Sequence, residues 1–336
     1  MVKLPDIYDH GVWFVYDGDC PLCTSAAQAL KIKESHGPLH IIDARRSDQP
    51  ELMSTIKQRN YDLDQGMVIY HSGVFYHGQE ALYFMALHSQ PSGLYNRINR
   101  LLFRSKLLRK TAYPFMRGCR NTLIRLLGRK PIYNMIDKNS PTFKSVFKDD
   151  WDQLPPVLKK HYANRPLSKD EVIVEGKLNV YAHPMLRIFA PIIALIGLVP
   201  PYSQDNVPVK VTFKSDPNDT SFQLVRYFHF QDKKPYLFHS KMYCHQQDVV
   251  EVMKGGFCWR SDIFYDGQKV QLKHKGYAIK LFGKIIPLPI TWLMGAGNAT
   301  ETAIDDDHFA MEVTVTHPLW GKIYGYNGIF RITKTL

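Results

Sequence analysis

The hydrophobic pattern of this chain changes near Arg129–Ser140, and this change limits the folds that the chain can adopt. Before it, short apolar runs alternate with segments whose apolar residues recur at helical spacing. After it, short runs of alternating apolar and polar residues follow one another with few helical segments between them. A chain of 336 residues is long enough for two domains that each bury a core. We therefore predict two domains, at residues 10–130 and 138–334.

The first domain is predicted to be α/β, because strand and helix patterns alternate in it. The two short apolar runs on either side of His71-Ser72-Gly73 form an antiparallel hairpin in this prediction. The order β-α-β-α-β-β-α is the layout of a thioredoxin-like domain, with one mixed sheet between helices. The predicted elements are strands Val12–Tyr16, Leu39–Asp43, Met67–Tyr70 and Val74–Tyr76, and helices Ser25–Glu34, Pro50–Tyr61 and Gln79–Ser89.

Two cysteines lie at the turn between the first strand and the first helix of this domain. Cys20-Pro21-Leu22-Cys23 follows the apolar run Val12–Tyr16 and precedes the helical stretch. The first turn of a helix has unpaired N–H groups and partial positive charge, which stabilise a thiolate. A thiolate attacks disulfides, and a thiol close by can resolve the mixed disulfide that forms. We therefore predict that Cys20 attacks and Cys23 resolves.

The same pair has two other interpretations. A C-x-x-C motif can be half of a zinc site, which needs further Cys or His ligands, but Cys119, Cys244 and Cys258 form no second close pair. The thiols can also be inherited without being active. Five cysteines and no secretory leader in Met1–His10 lead us to expect a reducing cytoplasm, where an active pair would cycle.

Residues 94–128 combine apolar residues at helical spacing with a basic face. The chain has a net charge of +12, and no acidic residue lies between Glu80 and Asp137. Pro114 and Gly118 are expected to divide the stretch into at least two helices. One interpretation is a helical extension with a solvated face. The other is an anionic membrane surface or acidic partner, with each basic residue near a membrane adding about 1 kcal/mol. The stretch lacks a nucleic-acid recognition module, so nucleic acid is not expected as a partner. Its basic residues are Arg97, Arg100, Arg104, Lys106, Arg109, Lys110, Arg117, Arg120, Arg125, Arg129 and Lys130.

The second domain is predicted to be mostly antiparallel β, within an α+β class, and closed into a barrel or sandwich. Ten strand patterns lie between Val172 and Thr333, after a helical region at Phe143–Tyr162 that Leu154-Pro155-Pro156 interrupts. The apolar segment Met185–Val199 is shorter than the roughly 20 residues that span a bilayer, and we expect it to cap or plug the barrel. Aromatic residues would fill the core or, in a wide barrel, line a cavity for an apolar ligand. They are Trp259, Phe264, Tyr277, Phe282, Trp292 and Trp320.

The segment Asp17-Gly18-Asp19-Cys20-Pro21-Leu22-Cys23, placed after an apolar strand, resembles the DCC family of thiol–disulfide oxidoreductases, whose motif is Asp-x-x-Cys-x-x-Cys. The resemblance covers roughly residues 10–130. It implies that Asp17, Cys20 and Cys23 are catalytic. Asp17 would move protons or, if buried, raise the pKa of Cys20 by like-charge repulsion. Asp19 would cap the helix.

The chain departs from thioredoxins at the residues before the third strand. Thioredoxins have a cis-proline there that grips the substrate backbone, whereas this chain has Gln65-Gly66-Met67. Gly66 would still allow a substrate backbone to approach closely. The substrate therefore stays open between a protein disulfide, a small thiol and a peroxide.

Residues 138–334 resemble a bacterial domain family of unknown function that is also found fused to DCC-type domains. The matching features are Trp151-x-x-Leu154-Pro155, Gly176-x-Leu178-x-Val180, Pro287-Leu288-Pro289, His317-Pro318-Leu319-x-Gly321 and Tyr326-x-Gly328-x-Phe330. This resemblance implies no chemistry.

These features together predict a cytoplasmic thiol–disulfide oxidoreductase whose C-terminal domain binds a ligand or a partner. Its partner would be a thiol or disulfide substrate, protein or small molecule, and no organic cofactor or metal is expected. The alternative is a non-enzymatic protein that binds lipid or another hydrophobe. Such a protein would be peripherally attached to an anionic membrane surface through the basic helices of Arg97–Lys130.

Overall fold

The computed structural model describes residues 4–29, 32–33, 36–88, 97, 101, 105–188, 190, 193, 197–245, 248–281 and 284–335. The chain forms two compact units, Met1–Ile136 and Asp137–Leu336. Each unit has its own sheet and its own hydrophobic core.

The N-terminal unit contains a four-stranded mixed sheet. Its strands are β1 (Val12–Tyr16), β2 (Leu39–Asp43), β3 (Val68–His71) and β4 (Val74–His77). The strand order is β2-β1-β3-β4, with β2 parallel to β1 and the other pairs antiparallel. The predicted α/β fold class is confirmed, and β1 is a central strand that both neighbours hold in register.

Helices cover both faces of this sheet, and alternate residues of β1 pack against them. The helices are α1 (Pro21–Ala29), α2 (Pro50–Gln58), α3 (Gln79–His88) and α4 (Lys106–Leu126), after a 3-10 turn at Asp6–Asp9. Val12 and Phe14 share a core cluster with residues of α1 and α3. Trp13 and Val15 share a second cluster with residues of α2. The period-two alternation of a strand therefore produces a three-layer arrangement.

Helix α4 continues through both residues that were expected to break it. Pro114 and Gly118 lie inside the single helix Lys106–Leu126, so the prediction of a break within this stretch is wrong. Tertiary contacts hold the helix on both sides of Pro114. The Tyr113 hydroxyl donates to the Gln65 carbonyl at 2.6 Å, and Arg117 Nη1 donates to Gln65 Oε1 at 3.1 Å. Such contacts outweigh the low helix propensity of two residues.

The C-terminal unit begins with short helices and continues as a closed antiparallel barrel. The helices are Lys144–Phe147, a 3-10 segment at Lys148–Gln153, and Pro156–His161. Later short helices are Pro184–Ile188, the 3-10 turn Lys254–Gly256, and Thr291–Met294. The strands are β5 (Glu171–Ala182), β6 (Gln204–Asp216), β7 (Asp219–Phe228), β8 (Tyr236–His245), β9 (Asp248–Val252), β10 (Phe257–Tyr265), β11 (Val270–Leu281), β12 (Lys284–Leu288), β13 (Ala296–Ala303), β14 (His308–His317) and β15 (Gly321–Thr335).

Ten of these strands form the closed barrel. Their order is β10-β9-β8-β7-β6-β5-β15-β14-β13-β11, and β10 pairs with β11 to close the ring. Strand β12 pairs with the second half of β11. The predicted barrel class is thus confirmed, and each described strand of the ring has a paired neighbour on both sides.

Three strands differ from the sequence prediction. The segments predicted separately at Lys269–Lys273 and Ala278–Phe282 form the single strand β11, with a shift in its pairing to β10 between Arg260 and Ser261. Strand β12 was missed because its apolar residues do not alternate with polar ones. Strand β13 was missed because alanine, glycine and asparagine have low strand propensity.

The segment Met185–Val199 was predicted to be a helix that caps the barrel. The structure describes a helix at Pro184–Ile188, and part of the remaining segment lies outside the described residues. Leu186 and Val199 pack against the barrel core, and the Tyr236 hydroxyl donates to the Leu198 carbonyl at 2.7 Å. The described part of the segment therefore covers apolar barrel residues. No helix among the described residues is long and apolar enough to cross a membrane.

Candidate functional site

The cysteine pair lies where β1 ends and α1 begins. Cys20 is fully buried and Cys23 is nearly so, and both are free thiols. The Cys20 N–H donates to the Asp17 carbonyl at 3.0 Å, which closes the turn after the strand. Helix α1 then starts at Pro21, a residue whose fixed φ suits the first helical position. The turn thus places both sulfurs at the N-terminus of the helix.

The sulfur of Cys20 acts as the cap of this helix. The Cys23 N–H donates to Cys20 Sγ at 3.2 Å, the geometry that an N-cap oxygen usually has with the third helical residue. The prediction that Asp19 caps the helix is therefore wrong. Instead, the Asp19 carboxylate lies 3.3 Å from Arg45 Nη1 and remains half exposed.

The two thiols have pKa values displaced in opposite directions. A hydrogen bond from the Cys23 thiol, the Cys23 N–H and the nearby Arg120 guanidinium together lower the pKa of Cys20 to about 6, against the opposing effect of burial. Donating to Cys20 and burial both raise the pKa of Cys23. Near neutral pH, Cys20 is thus the thiolate and Cys23 the protonated thiol. This is the division between an attacking and a resolving thiol.

Asp17 is buried beside the pair, and two guanidinium groups contact its carboxylate. Arg45 Nε lies 2.5 Å from Oδ1, and Arg120 Nη2 lies 3.2 Å from Oδ2. We expected a buried Asp17 to raise the pKa of Cys20 by like-charge repulsion, but the pKa of Cys20 is lowered. The physical reason is that the paired guanidinium groups offset the charge of Asp17, and Arg120 also acts on the sulfur.

Arg120 is the site residue that the sequence did not single out. It lies on α4, is buried, and donates from Nη1 to the Asp64 carbonyl at 2.5 Å. In the sequence it is one of eleven basic residues with no acid among them, so its pattern resembled a solvated face. The Nε of Arg120 has no hydrogen-bond partner in the part of the chain that the structure describes.

Helix α4 also supplies the cover of the thiols. Ile124 is buried and forms one apolar cluster with Cys20 and Cys23, and Tyr16 packs against this cluster. Leu22, between the two cysteines, is exposed. The described structure therefore presents an apolar side chain at the surface while both sulfurs lie beneath α4.

The space beside Gly66 is occupied by the protein itself. A Cβ at this position would lie 2.5 Å from the Tyr113 hydroxyl oxygen and 2.7 Å from the Gly78 Cα. The expectation that Gly66 admits a substrate backbone is therefore wrong, because the glycine allows Tyr113 of α4 to reach the Gln65 carbonyl.

The structure tests only part of the remaining predictions for this unit, which concern a metal site and the basic stretch. The described residues contain no group of three or more His, Cys, Asp or Glu side chains that could hold a metal ion. Residues 98–100 and 102–104 of the basic stretch lie outside the described residues. A membrane surface at Arg97–Lys130 therefore stays a prediction.

The interior of the C-terminal barrel contains a cavity of about 430 Å³. Most of its lining is apolar and comes from inward-facing residues of the strands and from the segment after β5. Trp259, Tyr277 and Trp320 line it, as the sequence suggested for a wide barrel. Leu293 and Trp320 both line the cavity and are about half exposed, so the cavity reaches the surface near them.

Two other predicted core aromatics, Trp292 and Phe264, are not among the lining residues. Trp292 is 68% exposed, so the prediction that it belongs to the core is wrong. It lies in the short helix Thr291–Met294, in which no residue is buried. Phe264 alternates with the lining residue Ile263 and has Lys273 Nζ 4.8 Å from its ring centroid, so it lies on the outer face. Phe282 lies outside the described residues.

The fold and its site describe a two-domain protein that joins a thioredoxin-like dithiol domain to a closed ten-stranded barrel. Residues 154–330 match the model of a family described as a domain of unknown function, DUF4166. Because this match covers more than half of the chain, the protein belongs to the DUF4166 family. Residues 14–126, in the N-terminal unit, match the model of the DCC1-like thiol-disulfide oxidoreductases.

Comparisons with other proteins add only distant likenesses. A search of curated proteins finds no match. Among solved structures, the chain is similar to Rv2717c from Mycobacterium tuberculosis, at 12% identity and a TM-score of 0.28, over 56% of this chain and 99% of that one. It is similar to EF1p2_mFAP2b bound to DFHBI at 7% identity and a TM-score of 0.20, over 49% and 93%. The dehydratase domain of the polyketide PpsC from Mycobacterium tuberculosis matches at 6% identity and a TM-score of 0.13, over 53% and 80%.

Proposed function

We propose that the N-terminal unit is an active thiol–disulfide oxidoreductase that works by dithiol–disulfide exchange at Cys20 and Cys23. The observation that carries this proposal is the position of Cys20 Sγ at the start of α1, where it accepts the Cys23 N–H at 3.2 Å. This geometry agrees with the opposite displacement of the two pKa values. The match to the DCC1-like family supports a redox role. A metal site or inactive thiols would not require one sulfur to be a thiolate and its neighbour a protonated donor.

The exchange takes place in two displacements at sulfur. The Cys20 thiolate attacks one sulfur of a substrate disulfide, an S–S bond forms between them, and the other substrate sulfur leaves as a thiolate that takes up a proton. Cys23 then loses its proton and attacks Cys20 Sγ, which releases the second substrate thiol. The substrate disulfide is reduced and the pair is oxidised. The reverse exchange with an external dithiol restores it.

In this proposal Asp17 is a positioning residue. Its carboxylate holds the Arg120 guanidinium, which in turn favours the thiolate form of Cys20. Arg45 supports the same carboxylate from the other side and donates to the Lys130 carbonyl at 2.6 Å. Removal of Asp17 is therefore expected to alter the pKa of Cys20 through the position of Arg120.

The cover over the thiols restricts the substrate. Because Cys20 is fully buried under Ile124, a disulfide reaches it only when α4 shifts locally, and a smaller disulfide needs a smaller opening. Local openings of this kind occur at free energies well below that of global unfolding. A small disulfide is therefore the substrate class that we propose to test first.

The experiment that tests this function is the trapping of a mixed disulfide with oxidised glutathione near pH 7. The variant Cys23→Ser lacks the resolving thiol, so it is expected to accumulate a glutathione adduct on Cys20 that peptide mass spectrometry identifies. The matched control is Cys23→Ser with Cys20→Ser. A Cys20 that forms no adduct, or forms one more slowly than the exposed Cys119, would show that the pair is not a redox centre.

For the C-terminal unit we propose a second role, the binding of a ligand inside the barrel. The observation in its favour is the cavity of about 430 Å³, which lies within the size range of small-molecule sites. Apolar walls with a few polar groups are typical of such sites. The test is a direct titration of the full chain with apolar molecules, and the absence of any binding would contradict this role.

The alternative, a non-enzymatic protein held at an anionic membrane, depends on free basic residues in Arg97–Lys130. At least three basic residues of this stretch make contacts within the N-terminal unit: Arg117 with Gln65, Arg120 with Asp17, and Arg129 with the Asp19 carbonyl. These contacts favour the redox proposal. Flotation with anionic liposomes tests the alternative. Strong binding combined with full cellular function of Cys20→Ser would favour the membrane role over ours.

A further inference from the structure

One ion pair, between an arginine and a glutamate, lies in the cavity of the barrel, and both of its side chains have hydrogen-bond partners within the protein. Arg226 and Glu251 both line it and both are buried, with Arg226 Nη2 2.9 Å from Glu251 Oε1. Arg226 Nη1 donates to the Ser240 hydroxyl at 3.1 Å, and this hydroxyl donates to Glu251 Oε1 at 2.5 Å. Arg226 also lies over the Phe238 ring, 4.5 Å from its centroid. Among the described side chains of the lining, the one guanidinium is thus already paired with a carboxylate.

A second carboxylate lines the same cavity. Glu301 is buried, and the Tyr162 hydroxyl donates to its Oε2 at 2.7 Å. His161 Nε2 lies 3.6 Å from the other oxygen, beyond ordinary hydrogen-bond length. The described part of the lining therefore holds two carboxyl groups and one guanidinium. A ligand carboxylate would add a third acid to a site of low dielectric, which is unfavourable.

Among the described residues that line the cavity, two buried polar side-chain atoms have no hydrogen-bond partner: the Tyr324 hydroxyl and His161 Nδ1. The Tyr324 side chain is buried and lines the cavity, and its hydroxyl makes no hydrogen bond with any residue that the structure describes. Burial raises the pKa of Tyr324 well above its usual value, so the hydroxyl stays neutral and can donate or accept. A buried hydroxyl without a partner is costly, and a ligand oxygen that pairs with it recovers that cost.

We propose that the barrel binds a neutral, mainly apolar molecule with one hydrogen-bonding oxygen, and that this oxygen pairs with the Tyr324 hydroxyl. The inference rests on the proposed ligand-binding role of the C-terminal unit and narrows it. One water occupies roughly 30 Å³ in the liquid, so the cavity of about 430 Å³ has room for about 14 non-hydrogen groups of that size. A medium-chain alcohol matches this size.

Three probes of nearly equal length separate the contributions of the alkyl chain, a hydroxyl group and a carboxylate to the affinity. The probes are dodecane, 1-dodecanol and dodecanoate. Each is titrated against the full chain at pH 8, with displacement of the neutral fluorophore 1-aminoanthracene as the signal. We expect 1-dodecanol to bind at least about 10-fold more tightly than dodecanoate, because the ionised carboxylate of dodecanoate would lie near Glu251 and Glu301. We also expect it to bind about 3- to 10-fold more tightly than dodecane, as one hydrogen bond predicts.

The variant Tyr324→Phe removes only the hydroxyl. Since this group has no partner in the described structure, the variant is expected to keep the fold, which its thermal unfolding checks. It should bind 1-dodecanol about 3- to 10-fold more weakly and dodecane as tightly as the wild type does. The matched control is Tyr227→Phe, because Tyr227 is exposed on the outer face of β7 and should leave all three affinities unchanged.

The results of these titrations test ligand binding by the barrel separately from the proposed class of ligand. If none of the probes displaces the fluorophore and the fluorophore itself does not bind, ligand binding by the barrel is wrong. If the probes bind but dodecanoate equals 1-dodecanol, or Tyr324→Phe binds 1-dodecanol as the wild type does, the barrel binds ligands and the proposed ligand class is wrong.

Discussion

The hydrogen bond from the Cys23 thiol to Cys20 should be detectable through its effect on the pKa of Cys20. This pKa is about 6, against about 8.5 for an unperturbed cysteine, which makes Cys20 about 90% thiolate at pH 7 instead of about 3%. Because the pKa is lowered, the thiolate fraction rises as pH increases through about 6 and is constant above about 8. Below pH 5 the thiol is protonated and exchange should stop.

The informative change is Cys23→Ala, which removes the thiol donor and keeps the Cys23 N–H and Arg120. A hydrogen bond to a charged group contributes about 1.5–3 kcal/mol, and one pH unit corresponds to about 1.4 kcal/mol. We therefore expect the pKa of Cys20 to rise by about one to two pH units in this variant. At pH 7 the thiolate fraction would then fall from about 90% to about 10–50%.

The assay is the ultraviolet absorbance of the thiolate as a function of pH in a Cys119→Ser background, which removes the exposed cysteine. Burial raises the pKa of Cys244 to about 12 and also raises the pKa of Cys258. A single step near pH 6 therefore reports Cys20. The control Cys23→Ser keeps a hydroxyl donor and should raise the pKa less than Cys23→Ala does. A wild-type step near pH 9, or no change in Cys23→Ala, would refute the reasoning.

Two further predictions concern helix α4 and its contact with the sheet. Truncation of the cover by Ile124→Ala should cost about 2–4 kcal/mol of stability and accelerate alkylation of Cys20 at constant thiolate fraction. The exposed neighbour Leu126→Ala should change neither, and equal alkylation rates in the two variants would contradict the role of Ile124 as a cover. Gly66→Ala should lower the free energy of unfolding in urea by about 1–3 kcal/mol, because its Cβ would overlap Tyr113 and Gly78. Gly118→Ala, whose Cβ meets nothing within 4 Å, should be neutral or stabilise the helix by up to about 1 kcal/mol; a similar loss in both would show that packing at Gly66 is not the cause.

The strand and helix order of the N-terminal unit followed from local pattern. The run Val12–Tyr16 and the hairpin around His71-Ser72-Gly73 carry their signals within a few residues, and the observed strands agree with them. Helix α4 shows the limit of local reasoning. Pro114 and Gly118 have low helix propensity, but contacts to Gln65, far away in sequence, keep the helix continuous.

The same distinction applies to the barrel. Alternation predicted most of its strands, because inward and outward residues differ in polarity. The short strand β12 and the alanine-rich strand β13 were missed, since pairing with neighbours rather than composition makes them strands. The width of the barrel, and hence its cavity, depends on how ten strands close, which no single strand encodes.

The sequence by itself determined that two thiols lie at the first turn of a helix after a buried strand, because strand, turn and helix are encoded by adjacent residues. It also determined that a β-rich domain follows. Only the tertiary structure decided the electrostatics of the thiols, because Arg120 comes from a helix a hundred residues later and was one basic residue among many. It likewise decided that Tyr324 lies without a partner inside a cavity, since burial depends on all the strands that surround it.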